Sequence, residues 1–179
     1  MQGGNRLHSG SAENEGAEPP GTEPMVGGAC APCLREAIRK FETNQAQVLR
    51  VCTELEQLAD GLPTLPSNGS HIRLARRLGA VLRDLHALEE AEILPIISAA
   101  LGDELVQDSI RNLIEEHRTD EAFADEICEV LLEWTAGERH HDAATLGYML
   151  RGLFDNLRRH NARERGQLIA PARRRLASS

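Results

Sequence analysis

Three stretches of this chain repeat one arrangement, a histidine four residues ahead of a glutamate: "HALEE" (His86, Glu90), "HRTDE" (His117, Glu121) and "HNARE" (His160, Glu164). On a helix, residues four apart stack on one face, so each imidazole and its carboxylate point the same way. A single pair of this kind inside a protein is more often a hydrogen-bonded core contact than a site. Three pairs at one level are different, because each buried carboxylate without a counter-charge costs several kcal/mol or is forced to protonate. A divalent metal removes that cost. Imidazole and carboxylate donors with no thiolate at the same level suit iron, manganese or zinc, and two ions sharing bridging carboxylates would suit the excess of acids.

The elements that must position these pairs are visible as apolar stripes with steps of three and four. The first runs through Leu34, Ile38, Phe41, Gln45, Val48, Cys52, Leu55 and Ala59, then breaks at "GLPTLPSNG"; this spacing predicts a helix of about 27 residues. A second stripe begins at Ser70, which reads as an N-cap, and passes Leu74, Leu78, Leu82, His86, Glu90, Ile93 and Ile97 before Gly102. The third is capped by Asp103 and carries Val106, Ile110, Leu113, His117, Glu121, Ala124, Cys128 and Leu131. The fourth starts near Asp142 and carries Leu146, Leu150, Leu153, Leu157, His160, Glu164 and Leu168. "TAGE" at 135–138 reads equally as a capping box opening the fourth helix or as the Gly137 stop of the third. Four long helices with short connections predict an all-α, up-down-up-down antiparallel four-helix bundle.

The heights of the polar pairs can then be compared. His86 is as far from the end of its helix near Leu101 as His117 is from Asp103, and His117 is as far from Thr135 as His160 is from Asp142. Gln45 to Asp60 matches His71 to His86 in the same way. At about 1.5 Å of rise per residue, Gln45, His86, His117 and His160 fall in one layer to within roughly a turn.

Composition agrees with a single helical unit. The chain has 179 residues, 41% of them hydrophobic, and its aromatics are limited to three Phe, one Tyr and one Trp, so the core is Leu, Ile, Val and Ala. The net charge of -8 argues against nucleic-acid binding. Lys40 is the only lysine among the cations, a usage that fits a GC-rich bacterial genome. No run of apolar residues is long enough to span a membrane, and the Met1 segment lacks the layout of a secretion signal, so a cytoplasmic protein is expected. Residues 1–29 are rich in Gly, Pro, Ser and Glu and predict a disordered tail, with the bundle occupying 30–179. Four dispersed cysteines (Cys30, Cys33, Cys52, Cys128) read as reduced thiols.

The passages "HALEEAEILP" and "HNARERGQLIAPARRRL", together with "EEHRTDE" between them, resemble the hemerythrin family, in particular hemerythrin-like domains of the HHE cation-binding type, over roughly Leu34 to Leu176. The resemblance implies a four-helix bundle with a non-heme iron centre, two ions or one, that binds oxygen, nitric oxide or peroxide; manganese and zinc are the lesser expectations. It assigns His86 with Glu90 and His160 with Glu164 as histidine ligand and bridging carboxylate, and His117 as a further ligand. Glu121 stands where some relatives carry a second histidine. Gln45 stands where the first helix of the family presents a histidine, and either ligates as a neutral amide oxygen or hydrogen-bonds a ligand carboxylate.

The residual motifs carry less. "CAPC" at 30–33 is a lone CxxC, Glu138 and His141 at ExxH spacing suit capping, and His8 and His71 are expected to face solvent. The C-terminal arginines suit the helix dipole. The overall expectation is a hemerythrin-like protein binding a small molecule for sensing, storage or protection, as monomer or homodimer. The rivals are an enzyme reducing peroxide or nitric oxide at the same site, and a metal-free interaction domain.

Overall fold

The computed structural model describes residues 25–178 apart from 27 and 139. Its order is β1 (Met25–Val26), β2 (Ala29–Cys30), α1 (Ala31–Gly61), α2 (Ser70–Leu88), α3 (Leu94–Leu101), α4 (Glu104–Ala136), α5 (Ala143–Glu164) and α6 (Ala170–Ala177). Single π-helical turns, Glu89–Ile93 and Arg165–Ile169, join α2 to α3 and α5 to α6. The chain therefore forms four long helical rods in a bundle, as the stripes predict, with short links at 62–69, 102–103 and 137–142.

The rods end where the punctuation residues require. Gly102 and Gly137 adopt left-handed backbone, φ 64° and 85°, closing α3 and α4. Gly137 is thus the stop of the third rod, which settles the choice posed by "TAGE". Asp103 accepts the Leu105 N–H at 3.0 Å and Asp142 accepts the Thr145 N–H at 2.7 Å, satisfying donors that the first helical turn leaves open. Ser70 is not the cap expected: Gly69 precedes α2 in left-handed backbone, and the Asn68 side chain accepts the Ser70 N–H.

Both π turns lead directly into a proline, Pro95 and Pro171. Proline clashes with the carbonyl four residues earlier and cannot donate to it. The extra residue of a π turn moves that carbonyl away: the Leu94 N–H bonds Glu89 O and the Ala170 N–H bonds Arg165 O, each five residues back. The first turn contains Glu89 and Glu90, and the second opens immediately after Glu164.

Two apolar clusters divide the bundle. One gathers Val48 to Ala59 of α1 with the facing parts of α2, α4 and α5; the other gathers Leu34 to Phe41 with Ile93 to Ala100, Val106, Leu113, Leu168, Ile169 and Ala172. Between them lies a buried polar layer of Asn44, Gln45, His86, Glu89, His117, Asp120, His160, Asn161 and Glu164. The single level inferred from residue counting is therefore present.

Four expectations at the edges are affected. The tail expected over 1–29 lies mostly outside the described residues, as does His8, but Met25–Val26 pairs antiparallel with Ala29–Cys30, and the Gly28 N–H bonds Ala99 O at 2.8 Å. The first rod starts at Ala31 and is 31 residues long, with Cys30 as its cap. Cys30 and Cys33 form a disulfide, whereas Cys52 and Cys128 are free thiols. CxxC at a helix start places the two sulfurs one turn apart, a proximity that sequence spacing alone did not distinguish from a reduced pair. His71 is buried rather than solvent-facing, because α2 turns it inward beside Leu74. No helix among the described residues is long and apolar enough to cross a membrane.

Candidate metal centre

The three histidines form a stack across the polar layer. The rings of His86 and His117 are nearly parallel with centroids 4.0 Å apart, and those of His117 and His160 are 5.0 Å apart. Such stacking of three imidazoles is tolerable only if their charges are limited or matched, and six carboxylates from the π turn after α2, from α4 and from α5 surround them.

Each ring points one nitrogen toward a carboxylate on the next rod. His86 Nδ1 lies 2.8 Å from Glu121 Oε1, and His117 Nδ1 lies 2.8 Å from Glu90 Oε1. The two HxxxE segments thus cross over, each glutamate bonding the other helix's histidine. His160 Nδ1 lies 3.5 Å from Asp120 Oδ2 and 3.6 Å from Glu116 Oε2. An ionised carboxylate can only accept, so in the Glu90 and Glu121 contacts Nδ1 carries a proton, and Nε2 keeps its lone pair whenever the ring is neutral.

The Nε2 sides of two rings meet the inner carboxylates. His117 Nε2 is 3.4 Å from Glu89 Oε2, and His160 Nε2 is 3.5 Å from Glu164 Oε1. Glu89, His117, His160 and Glu164 are all buried, and one donor atom of each lies within 4.8 Å of the others. The inner carboxylate of the second rod is therefore Glu89, not Glu90: Glu89 is 3% exposed, while the Glu90 side chain is 36% exposed and lies on the rim.

Protonation reflects this crowding. Burial pushes the Glu164 carboxyl up to about 7, with the neighbouring Glu89 charge adding to the rise. Burial draws His160 down, but contacts with Asp120 and Glu164 outweigh it and lift the imidazole to about 9. Burial also opposes ionisation of Glu89, yet His117 holds its carboxyl below the usual range. Burial and then the His117 charge lower His86.

These residues fit a metal ion. His117 Nε2 and both Glu164 oxygens are buried at the centre with no hydrogen-bond partner. Buried polar atoms in proteins are nearly always paired, so several orphans converging on one point leave an unmet demand for positive charge. Two imidazole nitrogens and two carboxylate oxygens are the donor set that iron, manganese or zinc accept. The outer carboxylates on Nδ1 are the arrangement by which proteins orient metal-binding histidines.

Gln45 is placed in the layer, but both ends of its amide are engaged. Its Nε2 donates to Asn161 O at 2.9 Å, and its Oε1 accepts from Arg165 Nη2 at 2.7 Å and Nε at 3.2 Å. The neighbouring Asn44 instead faces the inner group, donating to Leu85 O and to Glu89 Oε1. Sequence reading did not single out Asn44, Glu89, Glu116, Asp120 or Arg165. A signal for two of them existed: "HALE" and "HRTD" place an acid three residues after the histidine, a spacing that also shares a helix face.

Two clefts open onto this centre between α4 and α5. One, about 430 Å³, is lined by Thr119, Asp120, Asn156, Arg159 and His160; the second, about 370 Å³, is lined by Asn112, Glu164 and Gln167 among others. Glu116 and Arg163 line both, and the ion pair between them separates the two openings. Arg158 and Arg173 are likewise tied to particular partners, Glu56 and Glu42, while Arg174 and Arg175 lie in the last turn of α6, where the helix dipole favours a cation.

Fold and site together define a helical bundle with a buried histidine–carboxylate centre suited to a cation. Residues 36–171 match the family described as the hemerythrin HHE cation binding domain, and the chain belongs to that family. No curated protein and no solved structure gives a significant match.

Proposed function

We propose that this protein binds iron in the polar layer and uses it to bind oxygen, nitric oxide or a peroxide for sensing, storage or protection. Glu89, His117, His160 and Glu164 would be the ligands, with His86 stacked beside them. Glu90, Glu121 and Asp120 would orient the rings through Nδ1. The observation that carries this reading is the convergence of four buried donors, several of them without a hydrogen-bond partner, in a layer walled above and below by apolar packing.

A metal here supplies an electrophilic, redox-active centre for a small ligand. The chain's own residues supply the rest. The two apolar clusters exclude bulk water from the layer, which strengthens every electrostatic contact within it. The clefts flanking Glu116–Arg163 support entry of a small molecule toward His160 and Glu164. Family membership supports iron over manganese or zinc. The net charge of -8 supports the absence of a nucleic-acid partner, and a cytoplasmic monomer or homodimer completes the reading.

Anaerobic loading with ferrous iron, followed by nitric oxide or oxygen and watched by visible absorption, tests the proposal. A new band that saturates with the small molecule is expected. An unchanged spectrum of iron-loaded protein would refute small-molecule binding.

A further inference from the structure

We propose that the centre holds a single divalent ion, and that docking of Arg165 on Gln45 closes the side of α1 where a second ion would need a ligand. The inference rests on the reading of the polar layer as a metal site and specifies its capacity.

Charge is the first argument. Among the described residues, only two glutamates are buried at the centre, Glu89 and Glu164, at 3% and 2% exposure. Their two negative charges match one divalent cation when the imidazoles are neutral. A second divalent ion would leave an excess positive charge in a layer with no further buried glutamate to offset it. Asp120, the remaining buried acid, faces the far side of His160 at Nδ1.

Donor supply is the second argument. The four inner donors lie within 4.8 Å of one another, a spread that a small inward shift of the side chains brings within reach of one ion bonded at roughly 2.0–2.2 Å to each. Paired ions in known two-metal sites stand about 3.5–4 Å apart, so a second needs donors of its own. Apart from the Nε2 of His86, a single neutral donor, the remaining candidates are engaged. Glu121 is bonded to His86 Nδ1, Glu90 to His117 Nδ1, and one oxygen of Glu89 to the Asn44 amide.

Gln45 decides the matter on the first rod. It is 1% exposed and sits in the layer, yet its amide nitrogen is held by Asn161 O and its oxygen by two nitrogens of Arg165. Ligation through Oε1 would require Arg165 to withdraw, and the guanidinium stays charged at any accessible pH. Arg165 opens the second π turn, immediately after Glu164, so one local distortion of the helix is shared by a proposed ligand and by the residue that occupies Gln45.

The test is metal counting on the full chain. Protein freed of metal, loaded with excess manganous ion without oxygen and then desalted, is analysed for metal per chain and by electron paramagnetic resonance. The wild type is expected to bind one ion with the spectrum of isolated manganese, and a Gln45→His, Arg165→Ala double variant to bind up to two, with exchange coupling. Two coupled ions in the wild type would overturn the inference while leaving the metal reading intact. One ion in both proteins would overturn the role given to Gln45 and Arg165. No bound ion in the wild type would overturn the metal reading itself.

Discussion

His117 Nδ1 lies 2.8 Å from Glu90 Oε1, while its Nε2 faces Glu89. Adjacent residues of one helical turn therefore serve opposite nitrogens of one ring on a neighbouring rod. In the proposed centre Glu90 would fix the tautomer and Glu89 would stand on the metal side. The reciprocal contact, Glu121 on His86 Nδ1, makes the crossing symmetric between α2 and α4.

Glu90 and Glu121 should thus tune the site without being indispensable to it. Loss of an outer carboxylate on a ligating histidine typically lowers metal affinity 10–100-fold. We expect Glu90→Gln to weaken iron binding by about that factor with unchanged stoichiometry at saturation, as measured by competition with a chelator of known affinity. Complete loss of binding would mean that Glu90 is itself a ligand.

Metal-free protein should lose stability as pH rises. Glu164 titrates at about 7 and His160 at about 9, both above their unfolded values of roughly 4.5 and 6.5. Each folded group holds its proton more tightly than the unfolded chain does, so its stabilisation is complete below the unfolded pKa and is lost as pH climbs through the folded one. The melting temperature of metal-free protein should fall between about pH 5 and pH 9 as these two groups lose their protons. Metal-loaded protein should trend oppositely up to neutrality, since ligation requires the same protons to leave. Parallel pH series followed by circular dichroism check both directions.

Removal of the metal should leave the helices standing. The apolar clusters on either side of the layer, one built around Leu55, Leu78, Leu82 and Leu150 and the other around Leu34, Phe41, Ile93 and Ile97, do not depend on an ion. Chelated protein is expected to keep its far-ultraviolet helical signal while melting at lower temperature. A collapse of that signal on chelation would show that the layer organises the bundle.

The Glu116–Arg163 pair should slow entry of small molecules. Both residues line the two clefts that reach His160 and Glu164. Arg163→Ala should raise the association rate of nitric oxide with the iron-loaded protein several-fold by stopped flow, with little change in metal content. An unchanged rate would place the route elsewhere.

Much of this was legible in the sequence. Asp103, Gly102, Gly137 and Asp142 mark rod ends through cap chemistry, which is local and therefore readable. The level of the three histidines follows from residue counting, because helical rise is constant. Glu89 was not legible for the complementary reason: the rule that pairs positions four apart holds for an uninterrupted α-helix, and the segment enters a π turn at Glu89 itself. Asp120 and Asn44 belong to faces set by how the rods rotate against one another, which no single stripe records. Gln45 was seen, but its occupation by Arg165 depends on a contact 120 positions away in sequence.

In the proposed centre Glu89, and not its neighbour Glu90, is a ligand alongside His117, His160 and Glu164. Metal content of wild type, Glu89→Gln and Glu90→Gln, measured by elemental analysis after identical iron loading at sub-saturating chelator, separates the two glutamates. Retention in Glu90→Gln at reduced affinity and loss in Glu89→Gln are expected, with all three proteins folded by circular dichroism. Retention in Glu89→Gln with loss in Glu90→Gln would contradict this assignment.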